Sequence, residues 1–166
     1  MKSYILAISE GWIGVAWSDK GLWALTLPYK EPHGAEQRLL QLTPNANITE
    51  NYAGHPDTVS LTRQLEGYFN KESASFNFQV DLSWCTDFQR RVLTTVAGIP
   101  YGETRSYSQV AEMIGRPKAA RAVGNALSSN RALLVIPCHR VIRADGSPGG
   151  FGSLPRWKEK LLDLEK

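Results

Sequence analysis

The 166-residue sequence has little cysteine, with only Cys85 and Cys138. These two thiols could form at most one disulfide bond, and the residues after Met1 do not follow the basic-then-apolar pattern of a secretory signal. We therefore expect both cysteines to be free thiols and the protein to lie in the reducing cytoplasm.

Long apolar runs are also missing. No run approaches the length that crosses a bilayer, so we expect no membrane span. Histidine is scarce, and His33 and His55 lie in polar segments away from either cysteine. Because no histidines and cysteines have the spacing of a zinc site, we predict no metal. We also expect no other cofactor. The remaining composition, 42% hydrophobic and 21% charged, is typical of one or two small globular domains.

The formal net charge of +3 is unevenly distributed. Residues 1–79 carry 6 Lys and Arg against 8 Asp and Glu, whereas residues 80–166 carry 13 against 8. A net charge this small usually serves only solubility. Here the basic half also contains a helix-turn-helix pattern, and the combination indicates nucleic acid as a partner.

Residues 1–79 are predicted to form a small α/β domain. Three apolar segments separated by turn residues are typical of a three-stranded antiparallel meander. These segments are 4–8, 12–17 and 22–27. Helical spacing follows at 35–42 and 57–69, with Asp57 as the predicted N-cap of the second helix. An extended connector at 74–84 then leads into the second half of the chain.

Residues 80–166 are predicted to be mostly helical. Capping-box patterns at Thr86 and Ser106 each precede an apolar helical face. The helix after Ser106 ends at Gly115, and Pro117 opens another helix after a very short turn. Helix, glycine-containing turn and helix form the helix-turn-helix pattern.

These patterns predict an α+β protein with two domains. Residues 1–79 form the α/β domain, which consists of a three-stranded antiparallel sheet plus helices. Residues 80–166 form the mostly α domain, with a winged-helix-like helix-turn-helix and a last helix from about Pro155.

The segment 136–141, which reads Ile-Pro-Cys-His-Arg-Val, places a thiol, an imidazole and a guanidinium at consecutive positions. The apolar run 132–136 predicts a buried strand, and Pro137 would prevent its ladder from continuing. In this context Cys138 is predicted to be reactive, whereas Cys85 is expected to be an inert small hydrophobe. Arg140 is expected to pair with a carboxylate or to cap carbonyl groups.

The helix at 118–127 combines small side chains with one long cation, Arg121. Such a surface suits close helix packing in a core. It equally suits close approach to a nucleic-acid groove, with Arg121 entering the base stack in place of a displaced base. The composition of this helix leaves both interpretations open.

Four segments resemble the O6-alkylguanine-DNA alkyltransferases, also called methylated-DNA-protein-cysteine methyltransferases. They are 136–141, 120–124, 106–107 and 88–92. The resemblance covers residues 80–166. It implies irreversible transfer of an alkyl group from O6 of a flipped guanine in double-stranded DNA to the protein's own cysteine, with O4 of thymine as a further candidate target. We expect a monomer that acts on DNA and not at a membrane.

The resemblance also implies roles for individual residues. Cys138 would accept the alkyl group, and His139 with Glu165 would activate it through a water molecule. The water is needed because adjacent side chains of an extended segment point to opposite faces. Asn130 would be the hinge before the cysteine segment, and Tyr107 would rotate the target phosphate and donate a hydrogen bond to the leaving guanine.

The implied contacts with DNA and with the flipped base involve further residues. Arg121 would fill the gap in the base stack, Ser108 would add a DNA contact beside Tyr107, and Arg116 in the inter-helix turn is a candidate phosphate contact. The implied pocket wall and loop consist of Val141, Phe151 and Gly152.

Two other functions fit parts of the pattern. A non-catalytic lesion-binding protein like the alkyltransferase-like proteins would keep the pocket, but those proteins typically replace the acceptor cysteine that Cys138 provides here. An unrelated cysteine hydrolase would need an oxyanion hole, for which the sequence contains no separate signal.

Overall fold

The computed structural model describes residues 1–49, 54–72, 75–151 and 154–166. The chain divides into two compact units. The first unit contains residues 1–81 and 131–135, and the second contains residues 82–130 and 136–166. The structure therefore differs from the predicted single boundary between residues 79 and 80, because a short later segment returns to the first unit.

The sheet of the first unit has four strands in the order β3-β2-β1-β4. The strands are β1 (Lys2–Ile8), β2 (Gly11–Ser18), β3 (Gly21–Leu25) and β4 (Ile48–Thr49). β1 to β3 form the predicted antiparallel meander, whereas the two-residue β4 pairs parallel to β1 and was not predicted. Gly21 has a φ of 134°, and a β-carbon there would lie 2.3 Å from the carbonyl oxygen of Gln79, so the turn before β3 requires glycine.

The described residues of the first unit also form two helices, α1 (Pro32–Leu42) and α2 (Pro56–Phe69). The predicted N-cap of α2, Asp57, is wrong by two positions. His55 is the N-cap, and its Nδ1 atom accepts the backbone N–H of Thr58 at 3.3 Å. Pro56 takes the first helical position, where its fixed φ suits the helix and its missing N–H costs nothing.

The second unit contains four helices among its described residues. They are α3 (Asp87–Ala97), α4 (Tyr107–Met113), α5 (Ala120–Ser128) and α6 (Pro155–Leu164). Both predicted capping boxes are confirmed, at Thr86 for α3 and at Ser106 for α4. α5 packs against α3 and α4. It begins at Ala120 and not at the predicted residue 118, because Pro117 lies in a turn that the bond from Ala119 N–H to the Arg116 carbonyl closes at 2.9 Å.

A small parallel sheet connects the start of α4 with the segment after Cys138. Its strands are β5 (Arg105–Ser106) and β6 (Val141–Ile142), paired as Arg105 with Val141 and Ser106 with Ile142. The winged-helix-like character of this unit stays a prediction. No helix within the described ranges is both long and apolar enough to cross a membrane.

The prediction that residues 132–136 form a strand is wrong. The segment starts beside β3, where the N–H of Leu25 donates to the Arg131 carbonyl at 2.7 Å and the Leu25 carbonyl accepts from Leu133 at 3.3 Å. Leu134 then has a φ of 70°, a left-handed conformation that turns the backbone and interrupts any ladder. Its side chain is nevertheless buried, which is why the apolar run read as a strand.

Candidate active site around Cys138

Cys138 opens a short 3-10 helix, Cys138–Arg140, and does not lie at the end of a strand. Its side chain is 6% exposed. The side-chain amide of Asn130, also buried, donates from Nδ2 to Sγ of Cys138 at 3.2 Å and to the carbonyl of Ile136 at 3.0 Å. Asn130 thus binds both the sulfur of Cys138 and the backbone two residues before it.

The surroundings of Cys138 act on its ionisation in opposite directions. Burial raises the pKa of the thiol, because a thiolate is poorly solvated there. The Asn130 hydrogen bond, the charge of Lys158 and the N–H groups of Cys138 and His139 each lower that pKa. The resting group is a protonated thiol that needs a base before it can attack.

His139 and Arg140 both bind the carboxylate of Glu165. Nε2 of His139 donates to Oε1 at 2.7 Å. Arg140 donates from Nε to Oε2 at 2.8 Å and from Nη2 to Oε1 at 2.9 Å. Its third donor, Nη1, reaches the carbonyl of Ile99 at 2.6 Å. The expectation that Arg140 pairs with a carboxylate and caps a carbonyl is confirmed.

This network sets the tautomer of His139. Because Nε2 carries the proton that Glu165 accepts, Nδ1 is left as the basic nitrogen. Burial lowers the pKa of His139, and Glu165 opposes that effect. The lowered pKa keeps the imidazole neutral, with Nδ1 as the nitrogen that can accept a proton. No hydrogen bond joins the imidazole to Sγ of Cys138 among the residues that the structure describes.

Lys158 is a site residue that the sequence analysis missed. It is 1% exposed, and its ammonium donates to three oxygens. These are the carbonyl of Val141 at 2.5 Å, the carbonyl of Gly150 at 3.3 Å and the hydroxyl of Tyr107 at 3.3 Å. Burial lowers the pKa of Lys158 from 10.5 to about 8, while the charge of Cys138 opposes that shift. The missed signal is the spacing of α6, which puts Lys158, Leu161 and Glu165 on one buried face.

Tyr107 opens α4 and lies between the helix pair and the loop after β6. Its ring is the nearest neighbour of Gly124 in α5, where an added β-carbon would lie 3.6 Å from Cε1. On the other side, a β-carbon at Gly149 would lie 3.1 Å from the Tyr107 hydroxyl. Burial raises the pKa of Tyr107, so its hydroxyl stays a hydrogen-bond donor.

The other predicted site residues differ in exposure. Ser108, Arg116 and Arg121 are exposed on α4, the inter-helix turn and α5. Val141 is fully buried, and the ring of Phe151 lies 5.9 Å from the Lys158 ammonium. Gly152 lies outside the described residues. Within the described ranges, no group of three or more His, Cys, Asp or Glu side chains is arranged to hold a metal ion.

The chain is similar to known proteins over most of its length. It is 41% identical over 148 residues to the methylated-DNA-protein-cysteine methyltransferase of Mycolicibacterium paratuberculosis, an alignment that covers 89% of each chain. The chain belongs to the methylated-DNA-protein-cysteine methyltransferase family. The family model for the DNA-binding domain of 6-O-methylguanine DNA methyltransferase matches residues 87–166. Both findings agree with the resemblance that the sequence motifs indicated.

Two further comparisons show how far along the chain the similarity extends. The methyltransferase of Mycobacterium bovis is 50% identical over 103 residues, and this alignment spans 62% of the length of each protein. A crystal structure of Mycobacterium tuberculosis OGT in complex with DNA superposes with a TM-score of 0.80 at 35% identity, covering 100% of this chain and 93% of the other. The α+β fold is thereby confirmed.

Proposed function

We propose that this member of the family repairs DNA by moving an alkyl group from O6 of guanine onto its own Cys138. The observation that carries the proposal is the buried Cys138 thiol, held by Asn130, beside a neutral His139 that Glu165 and Arg140 fix in place. Such an arrangement supplies a nucleophile, a base and a carboxylate that stabilises the charged base.

The transfer begins with activation of the thiol. The proton of Cys138 passes through a water molecule to Nδ1 of His139, and Glu165 stabilises the imidazolium that forms. The Cys138 thiolate then attacks the alkyl carbon. A carbon-sulfur bond forms, the bond between that carbon and O6 breaks, and its electron pair stays on the guanine. Because the thioether is stable, each protein molecule reacts once.

The guanine anion that leaves must be stabilised as the O6 bond breaks. It then takes up one proton, which balances the proton that His139 took from Cys138 and later releases to solvent. We propose that the hydroxyl of Tyr107 donates a hydrogen bond to the base during this step. The ammonium of Lys158, 3.3 Å from that hydroxyl, favours negative charge on the oxygen and so strengthens its donor character. We propose that Val141 and Phe151 contribute to the pocket around the flipped base.

Duplex DNA is the proposed partner. The exposed Arg116, Arg121 and Ser108 lie on or between α4 and α5, and this half of the chain carries the excess of basic residues. Arg121 enters the base stack while the damaged guanine is flipped into the pocket. O4-alkylthymine is a further candidate substrate. We propose a cytoplasmic monomer that needs no cofactor.

A non-catalytic lesion-binding protein is the alternative in the same fold. It is not favoured, since such a protein has no use for a buried thiol with a donor at 3.2 Å and a histidine-carboxylate pair on the next residue. The hypothesis of an unrelated cysteine hydrolase is not supported, because the chain belongs to the methyltransferase family.

The test uses Cys138→Ser with a duplex that contains one O6-methylguanine. We expect the variant to bind the duplex as the wild type does and to transfer no methyl group. Cys85→Ser is the matched control, because it makes the same change at the second buried cysteine. It should retain full transfer, since the proposal gives Cys85 no part in the reaction. Retained transfer by Cys138→Ser would refute the proposal.

A further inference from the structure

The pairing of β5 with β6 brings two chain segments out of the sheet side by side. The strands are parallel, and the last pair is Ser106 with Ile142. Since parallel strands leave a sheet at the same end, the residues that follow, Tyr107 and Arg143, emerge next to each other. Gly149 lies between them, because a β-carbon there would be 3.1 Å from the Tyr107 hydroxyl and 3.4 Å from Cγ of Arg143.

Arg143 is exposed and held by a tight turn. Its N–H donates to the carbonyl of Ser147 at 2.9 Å, and its carbonyl accepts from Gly146 at 3.0 Å. The nearby carboxylate of Asp145 accepts the N–H and the hydroxyl of Ser147 at 2.9 and 2.6 Å, and the charge of Arg143 helps to lower the pKa of this carboxyl group without a direct ion pair. Within the described part of the chain, the Arg143 guanidinium makes no hydrogen bond or ion pair.

The charge of Arg143 reaches the groups around the pocket. Burial raises the pKa of Tyr107, and Arg143 opposes that shift. Burial lowers the pKa of Lys158, and Arg143 lowers it further. The exposed Arg143 and the buried Lys158 place two positive charges near each other, and Asp145 makes its hydrogen bonds to Ser147. This rim of the site therefore suits an anion from outside the protein.

We propose that Arg143 binds a backbone phosphate of the DNA strand that carries the flipped nucleotide. The inference rests on the proposed function, because it assigns one more contact to the same DNA interface. The phosphate is the favoured anion because the family resemblance implies that Tyr107, the neighbour of Arg143 across Gly149, rotates the target phosphate. The DNA-binding surface would then extend from the helix pair onto the turn after β6.

The experiment measures duplex affinity as a function of salt for Arg143→Gln and Arg143→Lys. A lost phosphate contact reduces the slope of log K against log salt concentration by about 0.9, and we expect this reduction for Arg143→Gln. Arg143→Lys should keep the slope, because lysine retains the charge. Arg63→Gln is the control, since Arg63 is an exposed arginine of α2 without a recorded ion pair.

Reaction rates provide a second measurement. At subsaturating protein, Arg143→Gln should slow repair of the duplex more than it slows reaction with free O6-benzylguanine, which carries no phosphate. An unchanged salt slope, or an equal reduction in Arg63→Gln, would overturn the assignment to Arg143. If the wild type itself neither binds the lesion duplex nor transfers the methyl group, the proposed function fails instead.

Discussion

Asn130 and Cys138 are joined by a buried hydrogen bond in which Nδ2 lies 3.2 Å from Sγ. The same nitrogen also donates to the carbonyl of Ile136 at 3.0 Å. One side chain therefore fixes the sulfur, lowers the pKa of its thiol and anchors the backbone that leads into the 3-10 helix.

Removing this amide tests its effect on ionisation. In Asn130→Ala the thiol pKa should rise, so the limb of the pH profile that reports thiol ionisation moves to higher pH. The Ile136 carbonyl also loses its partner, which costs about 1–3 kcal/mol of unfolding free energy. The profile is measured with O6-benzylguanine, and Asn125→Ala, an exposed change on α5, is the control. A profile that keeps its midpoint would contradict this role for Asn130.

The Glu165 carboxylate supports both the base and a buried cation. Glu165→Gln leaves the buried Arg140 without a counter-charge, and loss of one partner of a buried ion pair costs about 3–5 kcal/mol. It also removes the contributions that raise the pKa of His139, so the imidazole becomes a weaker base and transfer slows. Denaturant unfolding and single-turnover rates test both effects.

Asp163→Asn provides the comparison for Glu165→Gln. Asp163 is an exposed residue of the same helix, and its ion pair with Lys166 is a surface pair, so the change should cost less than about 1 kcal/mol. Equal losses of stability in the two variants would contradict the account of the buried network.

The buried ammonium of Lys158 makes stability depend on pH. Its pKa is about 8 in the folded chain against 10.5 as the ordinary value, so the unfolded chain binds more protons between these pH values. The charge therefore costs stability below pH 8, and this cost is relieved as pH rises from 8 to 10.5. The unfolding free energy of the wild type should rise relative to Lys158→Met over this window.

Lys160→Met, a change at an exposed lysine of α6, is the control for that titration. Lys158→Met should also slow transfer at pH 7, because the Lys158 charge lowers the pKa of Cys138. A stability difference between wild type and Lys158→Met that stays constant from pH 7.5 to 10.5 would show that the lysine is not perturbed as described.

A variant at Arg121 can distinguish base flipping from alkyl transfer itself. Arg121→Ala should weaken repair of O6-methylguanine in duplex DNA much more than reaction with free O6-benzylguanine, because only the duplex substrate requires a filler for the base stack. Arg63→Ala, a change at an exposed arginine of α2, controls for the loss of one positive charge. Equal losses with both substrates would count against a flipping role.

The parts of the fold that local chemistry determines could be predicted from the sequence. The capping boxes at Thr86 and Ser106 depend on residues three positions apart, so both helix starts were correct to the residue. The meander was equally accessible, since alternation and turn residues mark its strands. The start of α2 was predicted incorrectly, because Asp57 is a common N-cap residue type. The actual cap is His55, followed by Pro56 at the first helical position.

The parts of the fold and of the site that depend on tertiary contacts could not be predicted from the sequence. The predicted burial of the run before Cys138 was correct. The pairing of Arg131 and Leu133 with Leu25 of β3, which is distant in sequence, and the left-handed turn at Leu134 that comes next had no local signal. The partner of His139, Glu165, could be predicted only from the family resemblance. For Arg140 the sequence indicated a carboxylate or carbonyl partner but not which one. Lys158 went unnoticed because a lysine in a helix is usually exposed.

The central claim is tested most directly by mass spectrometry of the protein after reaction with a duplex that contains one O6-methylguanine. The account predicts one added methyl group per chain, located on the peptide that contains Cys138, an unmodified Cys85 and DNA restored to guanine. A methyl group on another residue, or repaired DNA without any adduct on the protein, would contradict it.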